Sequence, residues 1–240
     1  MVTIIFIGLV FSVASLVHGV CGFGFSMISV GILSLALGPK TAVPLDVIAS
    51  AANCFYLTWL LRKDIVWRDT VVIIILSMLF VPFGTLYLRH IDASIVIRSL
   101  GAVILIVSII TIFKKKNLSI FAHRYSKWIA GAISGLLGGA FNIPGPPLVL
   151  YSYNSHLPLR SAMANLQLIF SAMTFMIIFS FWKTDLLNWQ IVGTGAAFMP
   201  LIILFTFVGS FISRWLKTQY LSTVINVSLL LLGITLVFRG

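Results

Sequence analysis

The residues best suited to chemistry in this chain lie in two short runs of glycine and proline inside long apolar stretches. One run reads Pro144-Gly145-Pro146-Pro147, and the earlier one reads Gly19-Val-Cys-Gly-Phe-Gly-Phe-Ser26. Such residues interrupt a helix, and hydrocarbon offers no water to satisfy the freed backbone groups. Broken membrane helices survive where they line a cavity, and transporters use them to present backbone N–H groups to a substrate. Two such breaks predict a binding site.

The chemistry that these breaks favour is oxyanion binding. Backbone N–H groups at a helix N-terminus coincide with the positive end of the helix dipole, and glycine lets a ligand approach without interference from a Cβ atom. Five residues at the breaks are therefore predicted to contact the substrate: Gly22, Gly24, Ser26, Asn142 and Gly145. Three prolines are predicted to shape and gate the second break: Pro144, Pro146 and Pro147. The competing interpretation is that the glycines serve only close helix packing.

Polar side chains in the helices that follow the breaks are the next candidates. Asn53 lies in the first of these helices, and Asn165 and Gln167 lie in the second. We predict that these three amides contact the substrate. The alternative is that they bond neighbouring helices, a contribution of about 1 kcal/mol each.

Asp46 is the acid closest to the middle of an apolar segment, and it lies 119 residues before Asn165, at the equivalent place of the other half. Intramembrane acids mark proton or cation pathways, so one prediction is a gating or coupling role. The alternative is helix capping, because Pro44 suits a first helical turn and Asp46 would then complement the dipole. His18 precedes the first break, and histidine changes charge near neutral pH, although a lone histidine is typically a packing residue.

The composition excludes a soluble domain. The chain is 60% hydrophobic and 9% charged, with a mean hydropathy of +1.13, and its apolar runs are continuous rather than alternating as in outer-membrane barrels. The sequence therefore predicts an all-α membrane protein. Sixteen Lys and Arg face five Asp, a net charge of +11. These cations are dispersed between apolar segments, which is typical of cytoplasmic loops and not of a nucleic-acid-binding face.

Run length predicts about eight apolar segments, which a basic stretch divides into four and four. The segments are 2–37, 42–61, 70–88, 94–113, 128–153, 160–182, 188–212 and 220–238. We divide the chain into a first transmembrane repeat at 1–113, a basic cytoplasmic linker at 114–127 and a second transmembrane repeat at 128–240. The first segment of each repeat is predicted to be broken or re-entrant.

Matches between the two halves indicate internal duplication, the usual construction of secondary transporters. Four matches recur in the same order: Ser15…Gly19 with Ser134…Gly138, Gly38-Pro39 with Leu157-Pro158, Asp64…Trp67 with Asp185…Trp189, and Gly84-Thr85…Arg89 with Gly209-Ser210…Arg214. If all eight segments cross, the side of the linker carries ten Lys and Arg against six; if the broken segments are re-entrant, it carries eleven against five. This difference favours re-entrant segments and inverted repeats but leaves both arrangements open, and both place the linker in the cytoplasm.

The second broken segment carries a resemblance to a known family. The run from Gly131 to Tyr151, followed by Pro158-Leu-Arg160, resembles the second repeat of the TauE/SafE family, also called the sulfite exporter family. The first half resembles the opening repeat of that family through Gly19-Val-Cys-Gly-Phe-Gly-Phe25 and a later Gly38-Pro39. The chain departs from the family pattern in having Asn142-Ile143 before its prolines and fewer consecutive glycines. The resemblance covers nearly the whole chain and implies transport of anions such as sulfite, sulfonates, sulfoacetate or thiosulfate.

The breaks, the duplication and the resemblance together predict a multi-pass permease for small sulfur-containing anions in the bacterial inner membrane. The alternative is an accessory or assembly subunit of a membrane complex that transports nothing. An enzyme is not expected, because the chain has no Glu and its four His are scattered between 18 and 156. We expect no cofactor and no metal. The expected partners are a small anion and the lipid bilayer, not nucleic acid, and the composition is compatible with a homo-oligomer.

Overall fold

A computed structural model describes residues 2–113, 125–154, 157–213 and 218–239, and within these ranges the chain forms ten α-helices, one short 3-10 turn and no strand. The helices are α1 Val2–Cys21, α2 Phe25–Leu37, α3 Pro39–Leu61, α4 Trp67–His90, α5 Ala93–Phe113, α6 Ser126–Phe141, α7 Gly145–Asn154, α8 Leu159–Lys183, α9 Trp189–Ile212 and α10 Thr218–Arg239. The 3-10 turn is Arg62–Asp64. The all-α prediction is confirmed, whereas most of the predicted linker lies outside the described residues.

Six helical stretches of the described residues are long and apolar enough to cross a bilayer. They are Val2–Cys21, Pro39–Asp64, Thr70–His90, Ala93–Ile110, Leu159–Lys183 and Trp189–Ile212. Large apolar side chains point away from the bundle, as Ile75, Leu79 and Phe83 do on α4, where a bilayer would cover them. The chain is therefore a multi-pass membrane protein. The eight-segment repeat stays a prediction, because the first and fifth apolar segments each divide into two helices.

Both broken segments are interrupted close to the predicted places. The break between α1 and α2 contains Gly22 and Gly24 with φ of 77° and 99°, and the break between α6 and α7 begins at Asn142 with φ of 55°. Glycine and asparagine are the residues that adopt this left-handed conformation most readily. Pro146 and Pro147 lie inside the first turn of α7 rather than in the break. Proline favours that position, since its φ is already helical and its missing N–H would have no partner there.

Corresponding helix boundaries of the two halves are separated by one residue more than the spacing of 119 that the sequence matches predicted. Gly22 and Asn142 follow α1 and α6 directly, and Gly38 and Pro158 precede α3 and α8. Both pairs lie 120 residues apart, not 119. With a spacing of 120, Asp46 and Asn165 are no longer at equivalent places but differ by one helical position. One helical position turns the two side chains to different faces of their helices.

The first helix of each broken segment packs along the third long helix of the other half. On α1, Gly8 lies beside Phe198 and Gly19 beside Thr206 of α9. A Cβ atom on Gly19 would collide with the carbonyl oxygen of Thr206, so this glycine allows two helix backbones to touch. The sequence order of the contacts shows that α1 and α9 run in the same direction.

The second broken segment repeats this packing against the first half. Gly131 lies beside Ile73 of α4, and a Cβ atom on Gly139 would collide with the carbonyl oxygen of Val81. The helices α6 and α4 therefore also run in the same direction. In addition, α3 packs against α8, and α5 packs against α10. Packing is thus exchanged between the halves, and Gly19 and Gly139 serve this close helix packing.

Polar contacts join the helix termini at each end of the bundle. At one end, Arg160 Nε lies 2.8 Å from Asp64 Oδ2, which joins the start of α8 to the end of α3. At the other end, Arg89 lies 3.5 Å from Asp185, and Lys40 Nζ donates a 2.9 Å hydrogen bond to the carbonyl of Arg89. The end of α3 and the start of α8 therefore lie at one end of the bundle. The start of α3, the end of α4 and the end of α8 lie at the other end.

Candidate functional site

The two breaks meet at one cavity inside the bundle. Phe23, Gly24 and Ser26 line it from the first break, and Asn142 and Gly145 line it from the second. The prolines Pro144 and Pro146 also lie on its wall. The empty space between these residues is about 500 Å³ when the open solvent at the mouth of the cavity is counted. Four of the predicted substrate contacts are thus brought together from positions about 120 residues apart.

The helix N-termini at this cavity supply backbone donors. The first residue of α2 is Phe25 and that of α7 is Gly145, and both line the cavity. The first-turn N–H groups of a helix have no partner within the helix, and they carry the positive end of the dipole. In α7, Pro146 and Pro147 have no N–H at all, so Gly145 is the principal donor of that turn. Two helix N-termini facing one space can hold a small anion without a charged side chain.

Asn142 connects the second break to the first half of the chain. Its Nδ2 donates to Asp46 Oδ2 at 2.8 Å and lies 3.0 Å from Ser50 Oγ and 3.2 Å from Ser26 Oγ. Ser29 Oγ donates to the other carboxylate oxygen of Asp46. Because a single amide bridges both halves of the bundle, the geometry of the cavity depends on this contact.

Asp46 lies behind the cavity wall and is fully buried. Helix α3 begins at Pro39 after Gly38, so Pro44 lies inside the helix and Asp46 is beyond its first turn. Asp46 therefore does not cap α3, and the capping interpretation is wrong. The helix starts earlier because a proline also stands at position 39, directly after a glycine with φ of 77°.

Gln167 and His18 lie next to the first break. Gln167 Nε2 donates a 2.7 Å hydrogen bond to the carbonyl oxygen of Gly22, and so it holds the break in place. His18 lines the cavity and is 4% exposed. It neighbours Gln167, yet neither of its ring nitrogens meets a partner with hydrogen-bonding geometry among the described residues. Gln167 Oε1 is also without a partner of that geometry, so the two neighbouring side chains can pair with each other or with a bound ligand.

Two of the predicted amides lie away from the cavity. Asn53 accepts a hydrogen bond from Thr206 of α9, and Asn165 Oδ1 accepts one from the backbone N–H of Val66 at 2.9 Å. Both amides thus make the contacts between elements that the alternative interpretation described. Gly22 lies next to the cavity, but its polar backbone groups are occupied, because its N–H donates to the carbonyl of His18 at 2.7 Å.

Three further residues contribute to the site, although their type and spacing do not distinguish them in the sequence. Ser50 and Thr174 line the cavity, and Ser29 bonds Asp46. Serine and threonine are common in membrane helices, where they bond the preceding turn, so their type and spacing carry no information about a site. Among the described residues, no group of three or more His, Cys, Asp or Glu side chains is placed to hold a metal ion.

Comparison with known proteins agrees with the sequence resemblance. A family profile described as Sulfite exporter TauE/SafE matches residues 6–236. The probable sulfite/organosulfonate exporter TauE of Cupriavidus necator is 28% identical over 196 residues, which cover 79% of this chain and 76% of the relative. No solved structure matches the chain.

Proposed function

The chain belongs to the sulfite exporter TauE/SafE family, and from this membership we propose that it transports small sulfur-containing anions, such as sulfite and organosulfonates, across the bacterial inner membrane. The observation that carries the proposal is the meeting of two helix N-termini, at Phe25 and Gly145, in one cavity. Family membership supports a membrane transporter. The relative named above is described as acting on sulfite and organosulfonates.

The cavity fits a small oxyanion better than a large or cationic substrate. Its described wall carries no Lys or Arg, so the positive potential comes from the backbone of α2 and α7. His18 adds an imidazole ring, and Ser26 adds a hydroxyl. These groups are donors that match the oxygens of a sulfite or sulfonate group, while Phe23 and Phe170 close the apolar sides. Gly24 and Gly145 let the anion approach the backbone.

The ends of the helices support a re-entrant arrangement of both broken segments. Had every apolar segment crossed once, Arg160 would lie on the opposite side from Asp64, and Arg89 on the opposite side from Asp185. Both pairs instead form ion pairs. With α1 parallel to α9 and α6 parallel to α4, we propose two hairpins that enter from opposite ends and meet at their tips. This inverted arrangement is the common construction of secondary transporters.

The predicted roles of the prolines, which are to shape and to gate the second break, belong to this proposal. The prolines Pro144 and Pro146 shape and gate the cavity from the second tip, and Pro147 fixes the first turn of α7 behind them. Efflux of a monovalent anion along an inside-negative potential releases about 2.3 kcal/mol per 100 mV. The potential alone therefore favours export of an anion that moves without another ion, whereas an anion that moves together with a proton carries no net charge and does not respond to the potential.

The decisive experiment is uptake by purified protein in liposomes. Labelled sulfite should enter in a saturable manner, and an unlabelled organosulfonate should compete with it. Protein-free liposomes and liposomes that contain an unrelated membrane protein are the controls. A correctly folded, monodisperse protein that gives no uptake above these controls would instead support the accessory-subunit alternative.

A further inference from the structure

Behind the wall of the anion cavity, a buried carboxylic acid is held by hydrogen bonds from both halves of the chain. We propose that Asp46 is a proton-binding site and that the proton crosses the membrane together with the anion. This inference rests on the proposed transport function and names its coupled ion. Asp46 does not touch the cavity itself, so it acts through Ser26, Ser50 and Asn142, which do.

The partners of Asp46 contain no cation. Its carboxylate oxygens bond Ser29 Oγ and Asn142 Nδ2, which are both neutral groups. A carboxylate that is fully buried without a cation is costly, because hydrogen bonds from neutral groups replace only part of its hydration. Binding a proton removes this cost. The surroundings of Asp46 are thus built for a group that changes its protonation state, not for a permanent charge.

The hydroxyl of Ser29 can serve both protonation states without moving a heavy atom. Ser29 Oγ lies within hydrogen-bonding distance of Asp46 Oδ1 and also 2.8 Å from the carbonyl oxygen of Phe25. When Asp46 is ionised, the Ser29 hydroxyl donates to the carboxylate. When Asp46 is protonated, the carboxyl group donates to Ser29 Oγ, and the hydroxyl hydrogen turns to Phe25. A hydroxyl can reverse its role in this way because it has both a donor hydrogen, which rotates, and acceptor lone pairs.

A path for the proton leads from Asp46 to the cavity. Asn142 Nδ2 lies 2.8 Å from Asp46 Oδ2, 3.0 Å from Ser50 Oγ and 3.2 Å from Ser26 Oγ. Both serines line the cavity. Water that enters with the substrate reaches the Ser26 hydroxyl, which is itself a hydrogen-bond partner of the Asp46 carboxyl group. The Asn142 amide nitrogen only donates, so it positions the carboxylate and does not relay the proton.

Among the described residues, the other acidic side chains on the helices that contact α3 lie near helix ends, and Asp46 alone lies in the interior of the bundle. Helices α2 and α9, which pack against α3, carry no titratable side chain. The cavity is lined by His18 and by Cys54 of α3. The remaining charged or titratable groups on the described helices that contact α3 lie in the first or last two turns of their helices or in the 3-10 turn: Lys40, Tyr56, Arg62, Lys63, Asp64, Arg68, Asp69, Tyr87, Arg89, His90, Arg98, Lys127, Arg160 and Lys183.

The charge of Asp46 links the proton to the anion. An ionised Asp46 repels an anion in the adjoining cavity, and the repulsion is strong where little water screens it. A protonated Asp46 does not. Each ligand therefore raises the affinity of the site for the other, as any thermodynamic linkage requires. The favoured loaded state carries both, so proton and anion move in the same direction.

The test uses full-length protein in liposomes with the membrane potential clamped at zero by potassium and valinomycin. The probe is labelled methanesulfonate, which stays ionised across the working pH range, so a pH response belongs to the protein. An inside-alkaline pH gradient should drive several-fold accumulation by the wild type, and a trapped pH dye should report acidification as the anion enters. Asp46→Asn should abolish both, while exchange of labelled for unlabelled methanesulfonate at equal pH continues. Asp185→Asn, an exposed acid at the bundle end, is the matched control and should behave as the wild type.

The possible results separate this inference from the transport function itself. Accumulation by Asp46→Asn equal to that of the wild type overturns the proton site. Three results with the wild type would also overturn it. The dye could report no change or an alkalinisation while the anion is transported, or a sodium gradient at equal pH could drive accumulation of the anion. If Asp46→Asn cannot be reconstituted, the wild-type dye signal decides. Absence of both uptake and exchange in the wild type, with sulfite and with methanesulfonate, refutes the transport proposal instead.

Discussion

Gly145 offers the sharpest test of the anion site, because substitution there should raise stability and lower transport. It is buried at the first position of α7, and its φ lies outside the left-handed region, so alanine is compatible with its backbone. A Cβ atom would lie 3.7 Å from Phe170 Cζ and 3.9 Å from Phe23 Cβ, which are ordinary contacts. Gly145→Ala should therefore stabilise the protein by about 0.4–1 kcal/mol through the reduced entropy of the unfolded chain.

The same methyl group would occupy the space in which an anion reaches the N–H of Gly145. A hydrogen bond to a charged group contributes about 1.5–3 kcal/mol. Its loss corresponds to a decrease of about 10–150-fold in substrate affinity or transport efficiency. We expect thermal unfolding of the purified variant at or above the wild-type temperature, together with this decrease in labelled sulfite uptake.

Gly193→Ala is the matched control. Gly193 is exposed on α9, and a Cβ atom there would meet nothing within 4 Å. The Gly193→Ala variant should gain the same stability as Gly145→Ala, and its transport should be unchanged. Gly24 is a poorer test position, because its φ of 99° would strain any other residue. If Gly145→Ala transports as well as Gly193→Ala, the N-terminus of α7 does not contact the substrate. If it unfolds at a lower temperature, the space described around Gly145 is wrong.

Three further predictions follow from contacts described above. Asn142→Gly keeps the left-handed backbone but removes the bridge to Asp46, and it should destabilise the protein by about 1–3 kcal/mol. Asn142→Ala should cost about 1–2 kcal/mol more, because alanine is strained in the left-handed conformation. A higher unfolding temperature for the alanine variant than for the glycine variant would contradict this. Gly139→Ala should destabilise by about 1–3 kcal/mol or more through collision with the carbonyl of Val81, and a wild-type unfolding temperature would disprove that close approach. In a background without Cys21 and Cys54, cysteines at Lys63 and Leu159 should react from the same side with an impermeant thiol reagent and a cysteine at Asp185 from the other; labelling of positions 63 and 159 from opposite sides would exclude the re-entrant arrangement.

The breaks were predictable because their signal is local. Glycine and proline that are clustered interrupt a helix through local backbone effects, so Gly22, Gly24 and Pro144 mark the tips from sequence alone, whereas the isolated Pro44, Pro82 and Pro200 lie inside helices. The amides were not predictable in the same way. Asn53 bonds a residue 153 positions later, and Asn165 bonds one 99 positions earlier. Whether an amide faces a ligand or a neighbouring helix depends on such distant partners.

The role of Asp46 shows a second limit. Two prolines, at positions 39 and 44, both suit a first helical turn, and the sequence alone does not reveal which one begins α3. The choice decides whether Asp46 lies at an end or in the interior. Ser29 and Ser50, which make the surroundings of Asp46 polar, are ordinary residues for a membrane helix and carry no signal of their own.

The exchanged packing of the two halves has a consequence for how the protein is made. Gly19 of α1 meets its partner Gly209 on α9, about 190 residues later in the chain. At a synthesis rate of about 5–20 residues per second, the first hairpin waits roughly 10–40 s for that partner. Through most of this interval the broken backbone at Gly22 also lacks Met163 and Gln167 of α8, which contact it in the finished bundle. The half-finished chain therefore exposes backbone groups that the finished bundle covers, and each such group is costly in hydrocarbon.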